Sequence, residues 1–125
     1  MNGIQRHDHP AGLPLSRAVR AGGFLFLSGQ LAVDGQGNIV GSDIESQTRA
    51  VLEQIALSLQ GLGASMAQVV KATVWLADMA DFPAFNGEYR RHFPDGFPVR
   101  STVEARLFKG ALVEIEVQAW VGESA

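Results

Sequence analysis

From residue 113 to 121 the chain alternates without a break. Val113, Ile115, Val117, Ala119 and Val121 hold one set of positions, and Glu114, Glu116, Gln118 and Trp120 hold the other. Successive side chains of a β-strand point to opposite faces, so this segment reads as a strand with one apolar side and one mixed, mostly polar side. The apolar side needs a second layer, and the sequence supplies a helix for it. After Ser42 or Asp43, either of which can cap a helix, Thr48, Val51, Leu52, Ile55, Leu59 and Leu62 recur at spacings of three and four. The pattern predicts an amphipathic helix over about 43–61, closed by Gly61 and Gly63.

The remaining segments complete the plan. Residues 16–27 read as two short strands broken at Ala21-Gly22-Gly23, a hairpin, and the turn formers at 34–38 as an exposed loop. Residues 69–77 are rich in β-branched and aromatic side chains, as in a central strand covered on both faces. Over 80–93, Phe82, Phe85, Tyr89 and Phe93 follow helical spacing, and Pro94 ends this second, shorter helix. Residues 100–106 and 112–121 read as a C-terminal hairpin joined through 107–111. This order predicts an α+β fold in a single domain over residues 1–125, with both helices on one face of a mixed sheet. The other face, carrying two carboxylates and Trp120, suits a subunit interface with a wet pocket at least as well as open solvent.

Composition narrows the function classes. A net charge of −3, with acids and bases interspersed, offers no extended basic surface for a phosphate backbone, so nucleic acid is not expected as a partner. No apolar stretch approaches the roughly 20 residues that span a bilayer, and the N-terminus lacks the pattern of a secretory signal. Membrane attachment is not expected. The absence of cysteine excludes disulfides, thiolate metal sites and a cysteine nucleophile, and fits a reducing cytoplasm.

Candidate chemistry rests on few residues. Arg100 follows Phe97-Pro98-Val99 at the start of a strand, where it could form a surface ion pair or grip a carboxylate with its planar guanidinium. Glu114 and Glu116 share a strand face at a separation of roughly 7 Å; they are either solvated or, if that face is buried in an interface, raised in pKa and able to orient water. His7-Asp8-His9 has the look of a metal-binding tripeptide but falls in an N-terminal segment read as mobile, so no metal site is expected. His92 reads as a polar edge position, and Arg90 and Arg91 point in different directions on their helix.

Nearly the whole chain resembles the Rid, or YjgF-like, reactive intermediate deaminases. The resemblance is carried by Leu13-Pro14, Phe26-Leu27-Ser28-Gly29-Gln30, the spacing Asp81-Phe82…Asn86…Tyr89…Phe93, Pro98-Val99-Arg100-Ser101 and Val113-Glu114-Ile115-Glu116. It implies a chorismate-mutase-like subunit in a homotrimer, with sheets facing inward and clefts between neighbouring subunits. It also implies cofactor-free hydrolysis of small 2-imino or enamine acids to 2-keto acids and ammonia. Arg100 would take the substrate carboxylate and Glu114 its water, with backbone groups near Gly29 and Thr102 orienting the reacting carbon and Asn86 supporting the cleft wall. Thr102 stands where many members have cysteine, and Leu15 where many have a cleft-lining tyrosine, which implies a more apolar wall. A carboxylate-binding trimer without turnover, or a deaminase of a larger substrate, would use the same arginine.

Overall fold

The computed structural model describes residues 3–122. Helix α1 (Ile44–Gly61) starts where the capping signal lies. The Asp43 carboxylate accepts from the Ser46 N–H at 2.8 Å, and the Asp43 N–H donates back to the Ser46 hydroxyl at 3.3 Å, a reciprocal pair that satisfies two donors the first turn would otherwise leave open. At the other end Gly63 adopts φ +80°, and the Ala64 N–H donates to the Leu59 carbonyl at 2.8 Å, which closes the helix.

Seven strands among the described residues form one mixed sheet: β1 (Ile4–Asp8), β2 (Ser16–Ala21), β3 (Phe24–Leu27), β4 (Gln30–Leu31), β5 (Val69–Leu76), β6 (Val99–Glu104) and β7 (Val113–Trp120). Their order is β1-β2-β3-β7-β5-β6, with β4 also paired to β7. The β2–β3 hairpin turns at Gly22, whose φ of +59° favours a residue without a Cβ. The second helix, α2 (Phe82–Tyr89), is shorter than the 80–93 expected, because 3₁₀ turns at Met79–Asp81 and Arg90–His92 take up the rest.

Three other expectations need correction. The two C-terminal strands do not form a hairpin: β5 lies between them, parallel to β6 and antiparallel to β7, and the eight residues 105–112 carry the chain across it. Alternation tells which side chains share a face but not which strand is the neighbour. Nor is β5 covered on both faces within one chain. Ala72, Val74 and Leu76 are buried, whereas Val70 and Lys71 are exposed and Thr73 and Trp75 only half-buried. Finally, His7 and Asp8 belong to β1, where His7 pairs with Ala18, so this part of the N-terminal segment is anchored to the sheet edge.

The core lies between the sheet and the helices, as the alternation requires. Val113, Ile115, Val117 and Ala119 are buried with Ala72, Val74 and Leu76 beneath Val51, Leu52, Ile55 and Leu59 of α1 and Phe85 and Tyr89 of α2. The helices are tied together by Glu88, which is 5% exposed. Arg49 donates to one of its carboxylate oxygens at 3.1 Å, and the His92 ring meets the other at 2.9 Å. His92 is therefore a structural partner rather than a free edge residue. Burial alone would push the Glu88 carboxyl up, but the contacts from His92 and Arg49 outweigh it and hold the group below the usual value of 4.5.

Because a depressed carboxylate stabilises the fold above its unfolded pKa and loses that contribution as pH falls through the folded one, Glu88→Gln has a signed consequence. The substitution is expected to cost about 1–2 kcal/mol at pH 7 in urea unfolding at fixed protein concentration, at the low end for charge-assisted bonds because Arg49 is half-exposed. The difference from wild type should shrink as pH drops below about 4.5. A pH-independent difference would mean that side-chain packing, not charge, holds the helices.

Candidate active site

Paired residues in a sheet point to the same side, which fixes where the candidate residues project. Arg100 on β6 pairs with Ala72 on β5, and Ala72 pairs with Val117 on β7. Both partners are buried against the helices, so Arg100 rises from the helix face at the sheet edge. Glu114 pairs with Trp75 on β5 and Leu31 on β4, which places it on the opposite face. The two residues with the strongest chemical candidacy therefore point away from each other across the sheet of one subunit.

On the helix side, the Arg100 guanidinium carbon lies 4.8 Å from the Tyr89 ring centre, 5.3 Å from Phe85 and 5.5 Å from Phe82. Three ring faces hold the cation without neutralising it, and no carboxylate of the described residues pairs with it. The ion pair that a surface arginine would form is not made. Arg100 borders a cavity of about 390 Å³ with Asn86, Tyr89, Arg90, Phe97 and Pro98. The Asn86 side-chain oxygen and the Tyr89 hydroxyl are buried without a hydrogen-bond partner among the described residues. Burial pushes the Tyr89 phenol up to about 12, against the opposing pull of Arg100, so it stays a neutral donor. Thr102 shares this face through its pairing with Val74, half-buried, but borders neither this cavity nor the one described next.

A second half-site lies near the start of β4. Gly29 borders a cavity of about 480 Å³, together with Leu15 from the loop before β2. A Cβ at Gly29 would collide with the Glu114 carboxylate, whose carbon would stand 3.2 Å away, so the absence of a side chain is what lets the acid lie over this backbone. Burial raises the Glu114 carboxyl above the ordinary glutamate range, and the charge of Glu116 on the same face adds to the rise. A carboxylate so perturbed is better matched to accepting and returning a proton near neutral pH than a solvated one.

The structure thus divides the six sequence candidates. Leu15 and Gly29 border one cavity, which Glu114 adjoins through Gly29, Arg100 and Asn86 border the other, and Thr102 shares the face of Arg100. Tyr89 and Arg90 also border the arginine half-site, although the sequence pattern marks Tyr89 as a core position and gives Arg90 no role. The i, i+3 spacing of Asn86 and Tyr89 is a local signal of a shared helix face, but the strand register that brings Arg100 onto their helix is not. Among the described residues no group of three or more histidine, aspartate or glutamate side chains gathers to hold a metal.

Residues 6–121 match the family described as Endoribonuclease L-PSP. A RutC family protein of Pyrococcus horikoshii is 46% identical over 109 residues, covering 86% of each chain. The Arabidopsis thaliana protein named Reactive Intermediate Deaminase A, chloroplastic, is 42% identical over 90% of this chain and 62% of its own length. The crystal structure of E. coli TdcF with bound serine superposes with a TM-score of 0.80 at 34% identity, covering 86% of this chain and 87% of that one.

Replacing Glu116 by Gln removes the like charge but not the burial, so the Glu114 titration midpoint should fall while staying above that of a solvated glutamate. Carbon-detected NMR of the side-chain carboxyls reads this directly. An unmoved midpoint would show that the two acids do not sense each other.

Proposed function

Because this chain belongs to the endoribonuclease L-PSP family, which includes the Rid and YjgF proteins, we propose that it hydrolyses 2-imino or enamine acids to 2-keto acids and ammonia in clefts between subunits. The observation that carries this reading is the placement of Arg100 and Glu114 on opposite faces of one sheet. A cleft using both needs the arginine half-site of one subunit against the glutamate half-site of a neighbour. Such a contact joins two different patches, and heterologous contacts form a ring when their rotation closes. A homotrimer with the open sheet face turned inward is the assembly we infer. Exposed Val70, Val99, Val103 and Trp120 on β5, β6 and β7 support it as apolar surface in want of a partner.

In that cleft Arg100 takes the substrate carboxylate, its charge preserved by the aromatic shelf rather than spent on an internal acid. Backbone groups beside Gly29 and Thr102 orient the C=N carbon, with Asn86 along the wall and Leu15 facing the substrate from the other subunit. Glu114 accepts a proton from water as its oxygen bonds to that carbon, then returns it to the nitrogen as the C–N bond breaks. The water oxygen becomes the keto oxygen and its two hydrogens leave with the nitrogen as ammonia. The chemistry needs no cofactor. The serine bound in TdcF supports a ligand of amino-acid type, whereas a net charge of −3 gives little support to RNA, despite the family's description. Among the described residues no helix is long and apolar enough to cross a membrane. We read the compartment as the cytoplasm from the cysteine-free sequence, while a relative carries a chloroplast designation.

Freshly generated 2-imino acid, with keto acid release coupled to a dehydrogenase, tests the proposal. Arg100→Ala should lower kcat/KM by roughly 10- to 100-fold, the value of a charge-assisted hydrogen bond pair. Glu114→Gln should lower kcat while leaving the binding of an unreactive 2-keto acid nearly intact. Tight binding with no acceleration by the wild type would instead make the chain a carboxylate-binding protein.

A further inference from the structure

The half-site beside Gly29 is larger than a small imine needs, and the surface it exposes is mainly apolar. Leu13, Leu15 and Phe108 are 53%, 44% and 70% exposed, and all three border this one cavity. Leu27, Leu31 and Val33 line it further. Single exposed apolar residues are ordinary on a protein surface, but several converging on one concavity of about 480 Å³ form a ligand chamber. Its charged neighbours are partly committed elsewhere. The Lys109 amine donates to the Gly37 carbonyl at 2.8 Å, which ties the turn at 34–38 to the segment carrying Phe108. The His9 ring accepts from the Ala11 N–H at 3.1 Å. Gln54 donates to Gln30 at 2.9 Å and Gln30 to Ser58 at 3.4 Å, so these amides are engaged with each other, and Arg17 is the remaining charged side chain on the lining. The chamber therefore offers a mainly apolar wall with a single arginine at its border.

Resting on the deaminase reading, we propose that this chamber receives the side chain of the substrate, and that the preferred substrates are 2-imino acids with large apolar side chains, branched aliphatic or aromatic. The geometry supports this through Gly29, which borders the chamber and lies against the Glu114 carboxylate. With the C=N carbon over Gly29 and the carboxylate on the neighbour's Arg100 side, the remaining substituent of that carbon has the chamber to enter. A methyl group leaves Leu13, Leu15 and Phe108 uncovered; an isobutyl or benzyl group covers them.

An amino acid oxidase with catalase generates the imines of alanine, leucine, methionine and phenylalanine, and the enzyme's competition with semicarbazide trapping gives kcat/KM for each. The three larger imines are expected to exceed the alanine-derived one by about 10- to 100-fold, the discrimination an apolar pocket supplies for a few methylenes. Phe108→Ser, checked for unchanged oligomeric size, should narrow that ratio at least several-fold. Turnover of all four with equal kcat/KM overturns the assignment of the chamber while leaving deamination standing. A preference that Phe108→Ser does not alter also overturns it, because the selectivity then arises elsewhere. If no imine is accelerated, the deaminase reading falls and this proposal falls with it.

Discussion

A strand sends successive side chains to opposite faces, and this period of two, applied to β5 and its neighbours, governs where the chemistry can lie. The buried rows Ala72, Val74 and Leu76 on β5 and Val113, Ile115 and Val117 on β7 lock the register of those two strands, since a slip of one residue would turn an apolar row out of the core. β6 adds no residue to that core, and its pairing with β5 sets Arg100 beside Ala72. Arg100 therefore rises on the helix side and Glu114 on the open side, and a shared cleft has to be made between copies of the chain.

The two half-sites are also tuned differently. The guanidinium lies among three rings, which attract its charge without offering a hydrogen-bond acceptor, so it keeps its donors for a ligand. Glu114 is half-buried beside a second carboxylate, and both influences raise its pKa. One half favours holding an anion; the other favours moving a proton. Hydrolysis of an imine asks for both, and the intrinsic reactivity of the C=N bond in water leaves no need for a strong nucleophile.

Much of this was legible in the sequence, for identifiable reasons. The α1 boundaries followed from the Asp43 cap and an apolar stripe of period near 3.6, both local signals. The buried face of β7 followed from its alternation. The order of strands did not, because β6 and β7 are near in sequence and the long-range pairing that inserts β5 between them leaves no local trace. For the same reason Glu114 could be assigned to the face opposite the core, while the face of Arg100 depended on its pairing with Ala72. The short β4 and the clearance at Gly29 were not visible, since a two-residue strand and a single glycine carry no periodicity; the family resemblance pointed only to backbone groups near Gly29. Neither Phe108 nor Leu13 stood out as a cavity wall, because exposed apolar residues acquire that meaning only when a fold makes them converge.

If each cleft takes Arg100 from one subunit and Glu114 from another, two defective chains can complement each other within one oligomer. Arg100→Ala and Glu114→Gln chains, each assayed alone for its residual activity, would be unfolded together, refolded as mixed oligomers and assayed for imine hydrolysis. Sites shared across subunits predict recovery of roughly a quarter of wild-type activity in a random one-to-one mixture, because one cleft in four pairs an intact arginine with an intact glutamate. Mixed oligomers that remain as inactive as either parent would contradict the account and place both groups within a single subunit's site.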